Sequence, residues 1–253
     1  MNFEAARGAQ EIAFNHMKAR TPLDVAATEV VRFVKPLLPA EIDLSFVPGI
    51  MEETVQVLQE LITTVFEGEP PKKSINGLYF GLAELIFDDE DSDGEGDGEE
   101  AGDDESDLDS MGDGPVVTLH VTGSTAFDLE GSDPEWACDA SWNPDNCYTP
   151  CPLHVQLSTL RPLPPDESPE DGSDGPEFDT MWLITAGLIE PLNILLVGEV
   201  VRRLWPVLLG KAPYRGIATG LDEGEMIQLG VLYPDGFRPA ESLPPSELGD
   251  EEI

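Results

Sequence analysis

Cys138, Cys147, Cys151 and His154 fall within 17 residues in the spacing C-x8-C-x3-C-x2-H. Three thiolates and one imidazole are an established tetrahedral set for structural Zn2+. Only the Cys147 and Cys151 pair approaches the usual knuckle spacing, and Pro150 and Pro152 stiffen the chain around the third cysteine. The same cysteines read equally as small apolar side chains in a loop between strands. A second cation candidate lies upstream. Asp89, Asp91, Asp93, Gly94 and Glu100 follow the D-x-D-x-D-G-x5-E register of a calcium loop, with Glu95 and Asp97 at its seventh and ninth positions. Its context is unlike that of a paired loop: Gly96 takes the place of an apolar β-branched residue, and a strand-like segment precedes it.

Catalytic signatures are missing. There is no G-x-S-x-G elbow, no H-E-x-x-H and no P-loop, and the histidines are only His16, His120 and His154. The glycines of Gly94–Gly98 sit inside an acidic run that repels phosphate. Carboxylates in solvated runs keep ordinary acidity, so Glu190 and Glu199, inside the apolar stretch Met181–Leu209, are the two acids expected to shift. Their alternative is the polar face of a helix. Aromatic anchors are a different kind of chemistry. Trp136, Trp142 and Tyr148, on or beside the loop after Asp128, are the candidates for contacting a partner, the alternative being that both tryptophans are core residues.

Charge selects the partner class. The net charge is −38, and residues 88–113 hold 15 Asp or Glu without one Lys or Arg. Such a run cannot bury enough apolar surface to offset backbone ordering of about 1–2 kcal/mol per residue, so it reads as a disordered insert. Residues 162–179 form an acidic, proline-rich linker and 239–253 an acidic tail. Setting these three segments aside leaves a folded part near −11 (24 acids, 13 bases). Nucleic acid is excluded as a partner by the lack of a basic stripe, and a basic protein surface is the natural complement. Five Lys against eight Arg keep halophilic adaptation as a further reading. The first residues lack the charged and apolar regions of a signal peptide, and three cysteines suit a reducing cytoplasm. Met181–Leu209 is interrupted by Glu190, Pro191, Asn193, Glu199, Arg202 and Arg203, which reads as a buried segment and not a membrane span.

The elements that must position these residues follow from hydrophobic period. Leu23, Ala27, Val30, Val34 and Leu37 define one helix, with Thr21 as capping hydroxyl and Pro22 at the first turn; Met51, Val55, Leu58, Ile62 and Val65 define another, ending at Gly68. Phe3, Ala6, Ala13 and Met17 place a third at the N-terminus. Leu78–Phe87 and Val116–Thr122 read as strands joined by the acidic run; Trp136–Trp142 and Leu153–Leu160 read as two more. A buried helix is expected from Leu192 onward with Pro191 at its start, and Gly216–Gly220 and Glu225–Tyr233 flank the turn of a terminal hairpin. The expectation is one α+β domain over residues 1–253: N-terminal helices packed on an antiparallel sheet, a later buried helix and a C-terminal hairpin.

The segment W-A-C-x-x-x-W-x-P at Trp136–Pro144, the strand before it and Gly220–Gly230 after it resemble uncharacterised small acidic bacterial proteins of an immunity-like type. The resemblance covers about a third of the chain and implies a cytoplasmic binding role without catalytic residues. The functional expectation is therefore an acidic immunity or inhibitor protein that masks a basic protein partner and requires no cofactor. The alternative is a zinc-binding protein or metal-dependent enzyme using Cys138, Cys147, Cys151 and His154.

Overall fold

A computed structural model describes residues 3–85, 116–129, 134–145, 147–160, 176–221 and 226–243. The calcium-loop candidates Asp89, Asp91, Asp93 and Glu100, with the insert at 88–113, lie outside the described residues.

The 3.6-residue apolar stripes become helices that turn those stripes inward. Helix α1 (Phe3–Ala19) buries Ala5, Ala6, Ala9, Ala13, Phe14 and Met17; α2 (Leu23–Val34) buries Ala27, Val30 and Val34; α3 (Val47–Gly68) buries Met51, Val55, Leu58, Ile62 and Val65. Two details differ from expectation. Phe3 stays exposed and meets Trp182 edge-on at 5.0 Å. The cap of α2 is Pro22, whose carbonyl accepts from Ala26, while the Thr21 hydroxyl lies 3.0 Å from His16 Nδ1 instead of capping.

A seven-stranded sheet lies beneath these helices. Strands β1 (Gly77–Leu85), β2 (Val116–Ser124), β3 (Ala140–Trp142), β4 (Tyr148–Pro150), β5 (Arg215–Leu221), β6 (Met226–Tyr233) and β7 (Gly236–Pro239) run in the order β3-β2-β1-β5-β6-β7, with β4 also on β2. Pairing is antiparallel except between β1 and β5, which are parallel. β1 and β2 are paired from Gly77↔Ser124 to Leu85↔Val116, so residues 86–115 connect adjacent antiparallel strands. The C-terminal hairpin is β5–β6, extended by β7.

Several expected elements change type, each for a local reason. Leu153–Leu160 is not a strand: Pro152–Ser158 forms α4 with Leu153, His154 and Leu157 buried. Leucines four residues apart satisfy helical period as well as alternation, and Pro152 in the first turn favours the helix. Trp136–Trp142 divides into a 3-10 turn, Pro134–Cys138, and the short β3. The linker ends early, since α5 (Pro176–Ile184) takes its last residues, and the tail begins late, since Pro239 pairs with Gly230 and Leu243 packs on the core.

The apolar helix also starts earlier than Pro191. A π turn, Thr185–Ile189, joins α5 to α6 (Glu190–Leu209). Pro191 has no N–H to donate to a carbonyl four residues back, and the wider turn lets the Glu190 amide reach the Thr185 carbonyl so the helix continues. Among the described residues one helix, Asp179–Leu209, is long and apolar enough to cross a membrane; 89% of its apolar window is buried within the fold. It is the hub of the core, touching α1, α2, α3, β5, β6 and β7. Asn193 on it donates to Thr219 Oγ1 at 2.7 Å, and Thr219 donates to the Phe80 carbonyl at 2.7 Å, so the helix, β5 and β1 are tied by a chain of buried hydrogen bonds.

Candidate functional site

The helices cover one face of the sheet; the opposite face carries the aromatic side chains. Tyr79 on β1, Phe127, Trp136 and Ala218 on β5 form a cluster separate from the main core. Its floor is made by two paired glycines, Gly77 and Gly216: a Cβ on Gly77 would stand 2.3 Å from the Trp136 ring, and one on Gly216 2.4 Å from Phe127. Only a bare backbone lets the rings lie this close. Phe127 meets Trp136 at 5.2 Å, edge to face. The Phe127 loop is pinned from below, its backbone N–H donating to Asn76 Oδ1 at 3.2 Å and its carbonyl accepting from Asn76 Nδ2 at 2.9 Å.

From this cluster a row of rings runs outward across the strands. Tyr79 meets His120 at 5.8 Å, and His120 meets Tyr148 at 5.0 Å with 31° between their planes. His120 and Tyr148 are directly opposed residues of β2 and β4, the arrangement in which cross-strand side chains touch. The row ends in solvent: Tyr148 is 50% exposed, and no described strand pairs with the outer side of β4.

The three anchors suggested by sequence are therefore unequal. Trp136 is buried in the aromatic cluster. Trp142 is half-buried, its indole N–H donating to the Glu69 carbonyl at 3.1 Å and its ring edge-on to Phe66 at 5.2 Å. Tyr148 is the most exposed of the three. His120 and Tyr79, which support it, were not among the sequence candidates; alternation in Val116–Thr122 places His120 on the polar side of its strand, but pairing with Tyr148 depends on register. Glu69 and Asp145 form a corner beside this edge, the Asp145 N–H donating to Glu69 Oε1 at 2.9 Å.

The zinc candidates are divided by the sheet. Cys138 is exposed on the aromatic side, 4.0 Å from Met226 Sδ, whereas Cys147, Cys151 and His154 are buried on the helical side. None of the cysteines is in a disulfide, and no group of three His, Cys, Asp or Glu that could hold a metal occurs among the described residues. Burial pushes the Cys151 thiol up and the His154 imidazole down to about 4, and neither ring nitrogen of His154 meets a hydrogen-bond partner among the described residues. Both groups are thus held neutral. Leu153 N–H donates to Thr54 Oγ1, which fixes this helix against α3.

Glu190 is buried and accepts from Gln10 Nε2 at 2.8 Å; Glu199 is half-buried and takes Arg203 Nε at 2.8 Å. Arg203 also grips Glu52 through both terminal nitrogens at 2.7 and 2.9 Å, and this contact holds the Glu52 carboxyl below its usual range. Glu52, Glu199 and Arg203 line a cleft of about 430 Å3 with Arg20, Thr21, Asp24 and Met51; Glu190 is not part of its lining. Because the cleft's Arg203 is saturated by protein carboxylates, its visible role is to clamp α3 to α6.

Arg215 is the one Lys or Arg that is buried among the described residues. Its guanidinium donates to the Leu208 carbonyl at 2.8 Å at the end of α6, and burial lowers its pKa to about 10. Carbonyls near a helix C-terminus offer partial negative charge, which suits a cation without a carboxylate.

No protein-family model, curated protein or solved structure matches this chain.

Proposed function

We propose that this protein is an acidic binding protein of the immunity or inhibitor type, acting in the cytoplasm to mask a basic protein partner. The observation that carries the reading is charge segregation. From Ser74 to Leu160 the chain has 22 Asp or Glu and no Lys or Arg. That stretch supplies β1 to β4 and the aromatic row, with Asp128, Glu135, Asp139 and Asp145 exposed around it. The 13 bases sit elsewhere: Arg7, Lys18, Arg20, Arg32 and Lys35 on or beside α1 and α2, Arg202 and Arg203 on α6, Lys72, Lys73 and Lys211 in the loops leading into β1 and β5, Arg215 and Arg238 on β5 and β7, and Arg161 just after the stretch.

A face of one sign steers an oppositely charged partner and excludes acidic ones, without needing catalytic groups. The test is association of the whole protein with a basic peptide whose only charged residues are Arg and Lys. The association rate is expected to fall at least tenfold between about 0.05 and 0.5 M salt, with a smaller change in dissociation rate. No binding at low salt, or a salt-independent association rate, overturns the reading.

A further inference from the structure

We propose that the cleft where the α1–α2 corner meets α3 and α6 binds a small zwitterion of the amino-acid class, with Arg20 taking the carboxylate and Asp24 the ammonium. The site lies on the helical side of the sheet, away from the aromatic row, and is independent of the masking role. The backbone gives the first reason. Arg20 has φ 56°, the one non-glycine residue with positive φ among the described residues. It follows α1 directly, its N–H donating to the Met17 carbonyl at 3.2 Å and the Thr21 N–H to the His16 carbonyl at 3.1 Å. That pair of bonds closes helices whose next residue is ordinarily glycine, because a Cβ in the left-handed region is strained. An arginine kept in such a place points to a use of its side chain.

The fold itself makes no use of the guanidinium. Among the described residues the Arg20 side chain has no hydrogen bond or ion pair, and it stands near a second cation: burial first, and the Arg20 charge to a lesser degree, hold the Arg202 pKa below its ordinary value. Asp24, four residues on in the first turn of α2, has an equally unpaired carboxylate among the described residues. Both line the cleft of about 430 Å3, a volume within the range of small-molecule sites. Two opposite charges on one corner, not joined to each other, suit a head group that carries both signs on one carbon. The other charges of the cleft are engaged, since Arg203 holds Glu52 and Glu199. Pro22, Pro48 and Met51 supply apolar lining for the rest of the ligand. Net charge decides between ligand classes. At −38 the molecule repels a free anion, and a plain cation leaves Arg20 unused; a zwitterion has no net charge to be repelled and engages both residues.

The probes are L-leucine, leucine amide, which keeps only the ammonium, and N-acetyl-leucine, which keeps only the carboxylate. Each is titrated calorimetrically at millimolar concentration against the full chain, Arg20→Gly and Asp24→Asn. L-Leucine is expected to bind the full chain, with leucine amide and N-acetyl-leucine at least about tenfold weaker, the loss expected when one charged hydrogen-bonded pair is removed. Arg20→Gly should keep or raise the thermal midpoint, because glycine relieves the left-handed strain, while weakening L-leucine at least about tenfold. Asp24→Asn should weaken L-leucine to a similar degree. A purely structural Arg20 gives the reverse, a lower midpoint with binding retained. No binding of L-leucine, equal binding of N-acetyl-leucine, or L-leucine affinity that survives Arg20→Gly overturns the inference, and none of these results bears on the basic-peptide test of the masking role. Should Arg20→Gly not fold, Arg20→Asn, the other residue at ease in this conformation, decides in the same terms.

Discussion

An imidazole sealed among apolar side chains resists protonation, and His154 is such a group: fully buried, with a pKa near 4 against an ordinary 6.5. The unfolded chain takes up this proton as pH falls through 6.5, whereas the folded chain resists until about 4, so stability is lost across that interval. The full difference corresponds to about 3 kcal/mol. His154→Leu removes the titration, while the many carboxylates titrate in both proteins and cancel in the comparison. Denaturant unfolding at pH 7.5 and 4.5 should show the native chain losing about 2–3 kcal/mol more than the variant. Parallel pH profiles would show that solvent or a partner reaches this ring. The residue also illustrates why its neighbourhood misleads in one dimension. C-x8-C-x3-C-x2-H brings four potential ligands close along the chain, yet β3 and β4 occupy the sheet edge between them, leaving Cys138 on the face opposite His154.

At the scale of elements, packing against the sheet depends on what the strands omit. Gly216→Ala sets a Cβ 2.4 Å from Phe127, in the cluster that supports the aromatic row. Relief requires the Phe127 and Trp136 rings to move together, at a cost of about 1–3 kcal/mol. Gly49→Ala, near the start of α3 with nothing within 4 Å of the added carbon, should instead stabilise by about 0.5–1 kcal/mol through helix propensity. Urea titrations of the two variants check the opposite signs, and equal effects would show that the glycine floor is not close-packed. The helices α1, α2 and α3, the β1–β2 pair and the terminal hairpin were legible because one apolar period dominates each segment. Leu153–Leu160 was ambiguous because the same leucines fit periods of two and of nearly four. The parallel β1–β5 contact was not legible: an uninterrupted apolar strand gives no sign of which neighbour it adopts. For the candidate site, the residue types of Trp136, Trp142 and Tyr148 were visible, but their differing exposure came from the 3-10 turn and from register.

Over the whole molecule, a single sheet joins a half rich in bases to a half without them, and the densest acidic segment joins two strands already paired to their ends. Leu85 opposite Val116 means that the 30 residues from 86 to 115 close a connection that a few residues can span. Deleting Glu90 to Gly112 leaves seven residues there and shortens the loop by about two doublings, worth about 1 kcal/mol in closure entropy. It also removes 12 carboxylates, bringing the net charge from −38 to −26 and relieving repulsion in the compact state. The thermal midpoint should therefore rise by about 2–4 °C, the response expected of a domain this size. Stability and association then move in opposite directions. The deletion weakens the field that draws a basic partner in while leaving Tyr148, Glu69 and Asp145 in place, so the association rate with a basic peptide should drop and the dissociation rate should hold. Calorimetry and stopped-flow kinetics on the same preparation check both halves. A lower midpoint would make the segment part of the fold, and an unchanged association rate would place the steering charge elsewhere on the molecule.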